Sequence, residues 1–249
     1  MSGHSKWANI KHRKGRQDAR RGQLFGKLAK AIEVAAREGG GSPEFNPLLA
    51  TAVEKAKAAS MPHDNIDRAI KRGTGEVEGA QYEELFYEGY GPGGVALYVQ
   101  VLTDNRNRAA SDVRSTFTRH NGNLGEPGSV GYLFEHKGLI LANGDEDEVM
   151  LTALDAGAED IREAGEGSFE VITVAGDLRS VKEALVNGGV EIESADVTQL
   201  PTNLVPVEES EARRLLRLID ALDELEDVQA VFANYDIDDS VMEKVLAEA

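Results

Sequence analysis

The sequence predicts an α+β protein, with a helical bundle on the amino-terminal side and two α+β units after it. Three observations predict this. Apolar residues recur at helical spacing between Gly22 and Gly73, and β-rich runs begin only after Tyr82. From there helices and strands alternate without the regular β-α-β spacing of a doubly wound sheet. At 249 residues and 41% apolar, the chain is long enough for one large domain or two to three small ones.

Each element has its own warrant. After Gly22, the residues Phe25, Leu28, Ala29, Ile32, Ala35 and Ala36 share one helical face, and Gly39-Gly40-Gly41 ends the helix. Asn46 followed by Pro47 opens a second helix through LLATAVEKAKAAS. Ser60 or Met61, with Pro62, opens a third that ends at Gly73. Three short helices on short loops predict a bundle over residues 22–75, with a linker from Gly73 to Ala80. EELFYEGY, GPGG and VALYVQVL then read as a hairpin. Asp104 or Asn105 caps a helix through RNRAASDVRSTFTRH. In it Ala110, Val113 and Phe117 face inward, while Arg108 and Arg119 face out, about 16 Å apart. YLFEHKGLILAN reads as two strands, DEDEVMLTALDAG as a helix, EDIREAG and SFEVITVA as two more strands, and DLRSVKEALVNGG as a helix closed by glycine. VEIESADVTQL follows as a strand, and VPVEESEARRLLRLIDALDEL as a long amphipathic helix with Leu215, Leu218, Ile219 and Leu222 on one face. DVQAVFANYDI is a strand and DSVMEKVLAEA a last helix.

Charge points to a polyanion. The net charge is −17, yet the first thirty residues hold nine lysines and arginines against one acid, Asp18. Residues 1–120 carry +5 and residues 121–249 carry −22, so an acidic second half confines a nucleic-acid surface to the first. Like charges packed this densely gain little from folding alone and call for a phosphate partner. The candidates are Lys6, Lys11, Arg13, Lys14, Arg16, Arg20, Arg21 and Lys27, with His12 and Trp7 among them. Trp7 either stacks on an unpaired base or anchors the segment against its own bundle. The bases are too irregularly spaced for one recognition-helix face, so contact with the backbone is expected rather than base readout. Arg106 and Arg108 open a helix, where the dipole disfavours cations, and are read as a secondary contact.

Several chemistries lack a signal. Gly89, Gly91 and Gly94 satisfy G-x-G-x-x-G, but Val95 onward is strand-like and Pro92 sits in the turn, so a hairpin needing positive φ is expected instead of a dinucleotide site. That loop's backbone N–H groups are a weaker candidate for phosphate. The five histidines never fall at metal-ligand spacing, and Asp145 to Glu148 read as acids opening a helix. No G-x-S-x-G or G-x-x-x-x-G-K-[ST] occurs, so no catalytic residue, metal or cofactor is expected. The absence of cysteine rules out disulfides and thiolate sites and fits the cytoplasm, and no apolar run approaches the ~18 residues of a membrane span.

Five stretches taken together closely resemble the YebC/PmpR family, which includes the mitochondrial translational activator of cytochrome oxidase. They are GHSKWANIKHRK at Gly3 to Lys14, NIDRAIKRG at Asn65 to Gly73, YEGYGPGG at Tyr87 to Gly94, TDNRNRAASDVR at Thr103 to Arg114 and GNLGEPGSVGYLF at Gly122 to Phe134. The resemblance implies three domains, the third inserted into the second. The boundaries expected are a basic arm over 1–21, a bundle over 22–80, an α+β domain from 81–134 with 204–249, and an inserted α+β domain over 135–203. It also implies a non-enzymatic, DNA-binding transcriptional regulator. The alternative is a translation factor that binds ribosomal RNA and relieves stalling. No small-molecule substrate or membrane is expected, and the acidic carboxyl-terminal half remains open to a protein partner.

Overall fold

The computed structural model describes residues 21–165 and 167–247. The chain opens with three helices, α1 (Arg21–Gly39), α2 (Pro47–Ala58) and α3 (His63–Gly73). Their shared core is small and apolar: Ile32, Leu49, Ala56 and Ala69 are fully buried, with Ala36 and Ile66 nearly so. Asn46 joins the first two helices. Its side-chain oxygen accepts from the Leu49 N–H that opens α2, and its amide donates to the carbonyls of Ala35 and Gly40 at the end of α1. Gly73 lets α3 close on α1, since a Cβ there would stand 2.5 Å from the Glu33 carbonyl oxygen.

The next unit is an antiparallel sheet ordered β3-β1-β2-β9, from β1 (Glu83–Tyr90), β2 (Ala96–Thr103), β3 (Asn123–Leu124) and β9 (Val228–Ala233). Alternate residues of β2, Leu97, Val99 and Val101, face a helical layer. That layer comprises α4 (Arg106–Arg119) and α7 (Glu209–Asp223), with α8 (Asp239–Ala247) packed beside α7. Phe117, Leu215, Leu218 and Leu222 fill the space between them. On the opposite side Tyr98 stacks between Phe86 and Phe134, with ring centroids 4.5 and 5.6 Å apart.

A second antiparallel sheet, ordered β5-β6-β4-β7, lies between these parts in sequence. It is built from β4 (Phe134–Asn143), β5 (Asp160–Gly165), β6 (Ser168–Val174) and β7 (Glu191–Pro201), with α5 (Glu146–Asp155) and α6 (Leu178–Asn187) covering one face. The start of β4 pairs with the end of β7, Phe134 opposite Pro201, so the chain leaves and re-enters at one point. It then forms β8 (Val205–Pro206), which pairs with β10 (Tyr235–Asp236), and returns through α7 and β9 to complete the first sheet. The third domain is thus inserted into the second. YLFEHKGLILAN forms one ten-residue strand after a short 3₁₀ turn, not two strands. Gly138 lies within the sheet opposite Thr173, where a Cβ would collide with the threonine hydroxyl.

Candidate nucleic-acid interface and the joint behind it

The sequence-named residues Lys6, Trp7, Lys11, His12, Arg13, Lys14, Arg16 and Arg20 lie outside the described residues, and Arg21 opens α1. What the structure does show is where the arm is attached. The first turns of α1 run into an acidic corner between α7 and β9: Gln23 donates to the Glu224 carbonyl, and Lys27 donates to the carbonyl and carboxylate of Asp223 at 2.6 and 3.0 Å. Lys30 donates to Asp227 at 2.7 Å and to the Glu226 carbonyl at 3.1 Å, and lies 5.5 Å from the centre of the Tyr82 ring.

Lys27 therefore corrects the sequence reading. Its ammonium is largely buried and paired with Asp223, so it holds the bundle to the second domain instead of facing a phosphate. Arg108 needs the same correction. Its Nε and Nη2 donate to one Asp227 oxygen at 3.2 and 2.8 Å, and Nη2 also reaches Asp104 at 2.7 Å. These bonds explain a cation at the start of α4 that the helix dipole disfavours, and raise the guanidinium's already high pKa. Arg106 stays exposed, 3.6 Å from the Glu83 carboxylate, while its carbonyl accepts from the Tyr87 hydroxyl.

Asp227 is the centre of this joint. Buried to 7% side-chain exposure, it takes Lys30 on one oxygen and Arg108 with Thr103 on the other. Burial pushes its pKa up, but the bonds from Lys30, Arg108 and Thr103 outweigh burial and hold it below the ordinary carboxylate value. Beside it, a cleft of about 340 Å³ is lined by Lys30, Glu33, Arg72, Gly79, Tyr82 and Glu226 among others. Glu33 and Arg72 pair at 2.5 Å across α1 and α3, and burial of Glu33 raises its pKa despite that partner. None of Lys30, Asp227 or the Glu33–Arg72 pair was found as a site from sequence. Lys30 and Asp227 are 197 residues apart, and no local periodicity links them.

A second carboxylate organises the loop after α4. Glu88, nearly buried, accepts from the backbone N–H groups of Gly128, Val130 and Gly131 at 2.7, 2.6 and 2.7 Å. These bonds overcome its burial and depress its pKa. The hydroxyl of Tyr90 adds a bond to the Ser129 carbonyl. YEGYGPGG and GNLGEPGSVGYLF are thus two halves of one turn-and-loop structure. GPGG itself is the hairpin turn expected, with Gly93 at φ 77°. It makes a poor phosphate cradle: Gly91 and Gly94 N–H groups are bonded within the turn, and Glu211 stands against Gly93. Among the described residues there is no cluster of His, Asp or Glu able to hold a metal, and no helix is long and apolar enough to cross a membrane.

A three-helix bundle joined by buried ion pairs to an α+β domain that carries an inserted α+β domain defines the class of protein. Family models make it specific: one described as the TACO1/YebC protein N-terminal domain matches residues 5–76, and one described as the TACO1/YebC second and third domain matches residues 82–235. The chain belongs to the TACO1/YebC family. It is 55% identical to a protein of Acidothermus cellulolyticus over 98% of this chain and 100% of that one, and 56% identical to one of Rubrobacter xylanophilus over 98% and 99%. Both are named probable transcriptional regulatory proteins. The crystal structure of a conserved hypothetical protein from Aquifex aeolicus superposes with a TM-score of 0.82 at 51% identity, covering 94% of this chain and 98% of that one.

Proposed function

We propose that this protein is a non-enzymatic transcriptional regulator of the cytoplasm that binds DNA through its basic arm. The observation that carries the reading is seven bases against one acid in the first twenty-one residues of a chain whose net charge is −17, Lys27 and Lys30 being paired in the joint. The names of the relatives support it. Lys6, Trp7, Lys11, His12, Arg13, Lys14, Arg16, Arg20 and Arg21 are the contacts proposed, with Arg106 as an outlying one; Lys27 and Arg108 hold the joint. The pairing of Lys27 with Asp223 and of Lys30 with Asp227 holds α1, the helix that follows the arm in sequence, against the second domain.

The same arm admits a second reading, ribosomal RNA as the polyanion. The irregular spacing of the arm's bases suits a backbone of either kind. Affinity for duplex DNA and co-sedimentation with ribosomes, compared at one physiological salt concentration, separate the two. Binding to DNA is the expected result, and binding to ribosomes alone would reject the DNA reading.

A further inference from the structure

Helix α5 of the inserted domain carries apolar side chains on two sides. Val149 and Ala153 are fully buried in the core that α5 shares with its sheet and α6. That inner stripe is what docks the helix on the sheet. Met150, Leu151 and Leu154 nevertheless stand in solvent, at 40%, 66% and 57% exposure. At about 100° per residue Leu151 lies opposite the buried stripe, and the order round the helix is Met150, Leu154, Leu151 within an arc of about 100°. The three therefore form one strip on one side. The outer side of α6 carries the Arg179–Glu183 pair instead, as a solvated helix does.

Charge frames the strip. Glu146 lies beyond Met150, Glu148 and Asp155 lie beyond Leu151, and Asp147 stands at the strip's amino-terminal end; all four are exposed. None of them makes an ion pair among the described residues, and α5 has no basic residue of its own. The helix dipole accounts for acids in the first turn, but not for Asp155 in the last, where a cation would be favoured.

This chemistry selects the occupant. A polyanion or an anionic bilayer would meet four carboxylates and no cation. A second copy of the chain, joined about a twofold axis, would set the same acids against one another. An apolar strip edged by carboxylates is complementary to a helix with aliphatic side chains along one face and Lys or Arg at its borders. The unbranched, polarizable side chain of Met150 suits the edge of such a contact, since it adapts to the shape of what it meets.

We propose that the outer face of α5, through Met150, Leu151 and Leu154 within their acidic rim, docks a basic amphipathic helix of another protein. The site stands independently of what the arm binds. It gives a task to the inserted domain, which supplies none of the residues proposed to contact DNA.

The test uses the full chain and a fluorescein-labelled helical peptide of about five turns, with Leu at i, i+3, i+4 and i+7 spacing and Lys elsewhere. Two control peptides have the same composition in scrambled order, and Glu in place of Lys. In anisotropy titrations M150S/L151S/L154S should weaken binding of the Leu/Lys helix by about tenfold or more. E146Q/E148Q/D155N should weaken it and make its salt dependence shallower. F45S/L48S, which removes exposed apolar side chains from the bundle, should leave it unchanged. Wild-type affinity in M150S/L151S/L154S overturns the docking surface, and so does equal binding of the scrambled peptide. Binding of the Leu/Glu helix overturns the basic character of the partner. Two further results overturn its assignment to another protein: a wild-type dimer in sedimentation equilibrium that M150S/L151S/L154S abolishes, and a peptide of residues 1–21 that binds as tightly as the Leu/Lys helix and loses that affinity in the same variant. The side chains replaced by serine are all exposed, so unchanged thermal melts are expected for both serine variants.

Discussion

Asp227 shows how much of the molecule hangs on single polar side chains. Removing one member of a buried pair strands the other, at about 3–5 kcal/mol, whereas apolar replacement of both is often neutral. Asp227→Ala is therefore expected to destabilise by that amount in urea titration. The double replacement Lys30→Met with Asp227→Leu should recover most of what Lys30 contributes, leaving the loss from Arg108. Glu88 gives a pH signature. Its folded pKa is depressed, so its stabilisation is complete above the unfolded value of about 4.3 and is lost as pH falls below that toward the folded one. Thermal melts of Glu88→Gln should show lower stability than wild type at neutral pH, by about 1–3 kcal/mol, with the difference shrinking as pH drops below 4.3. A constant difference across that range would mean that the carboxylate's charge is not what holds the loop. No sequence signal distinguished Asp227 or Glu88 among 44 acids; their partners come from strands and loops far away in sequence.

At the scale of elements the sequence was most legible where structure is local. Helices with caps and glycine stops were found because Asn46, Asn105 and Asp145 act within three residues of themselves. YLFEHKGLILAN was misread as two strands because its continuity is set by the strands it pairs with, and Gly73 looked like a stop signal while also permitting helix contact. Gly73→Ala should improve helix propensity by up to about 1 kcal/mol and still destabilise the bundle, because the new methyl meets the Glu33 carbonyl. A calorimetric gain in stability would show that α1 and α3 have slack. Nothing in local periodicity shows an insertion, since it depends on Phe134 meeting Pro201. It came instead from the family resemblance. We propose the boundaries 135 and 203 for that inserted domain; hydrogen exchange should then show 135–203 as a unit that opens separately from the β3-β1-β2-β9 sheet.

Across the whole molecule, the bundle is held in two different ways. Against the second domain it uses the buried pair Lys30–Asp227 and the half-exposed pair Lys27–Asp223, and against the inserted domain the exposed pairs Lys55–Asp196 and Lys182–Glu54, at 2.7 and 3.3 Å. Exposed pairs contribute about 0–1 kcal/mol and are screened at high salt. Because the chain has no cysteine, spin labels at Thr51→Cys and Ser180→Cys can report that contact alone. Their distance distribution should broaden as salt rises, while folding is retained. The larger asymmetry is electrostatic: a basic start on an acidic body. The arm's contacts are proposed from composition alone, whereas Lys27 and Arg108 could be reassigned only once α1, α4 and the turn before β9 were seen together.

The claim that the arm grips phosphate is tested most directly by the salt dependence of DNA binding in wild type and in Lys11→Gln/Arg13→Gln/Lys14→Gln. The slope of log affinity against log salt should become shallower by up to about 3 units in the variant. Identical slopes for the two proteins would contradict the account.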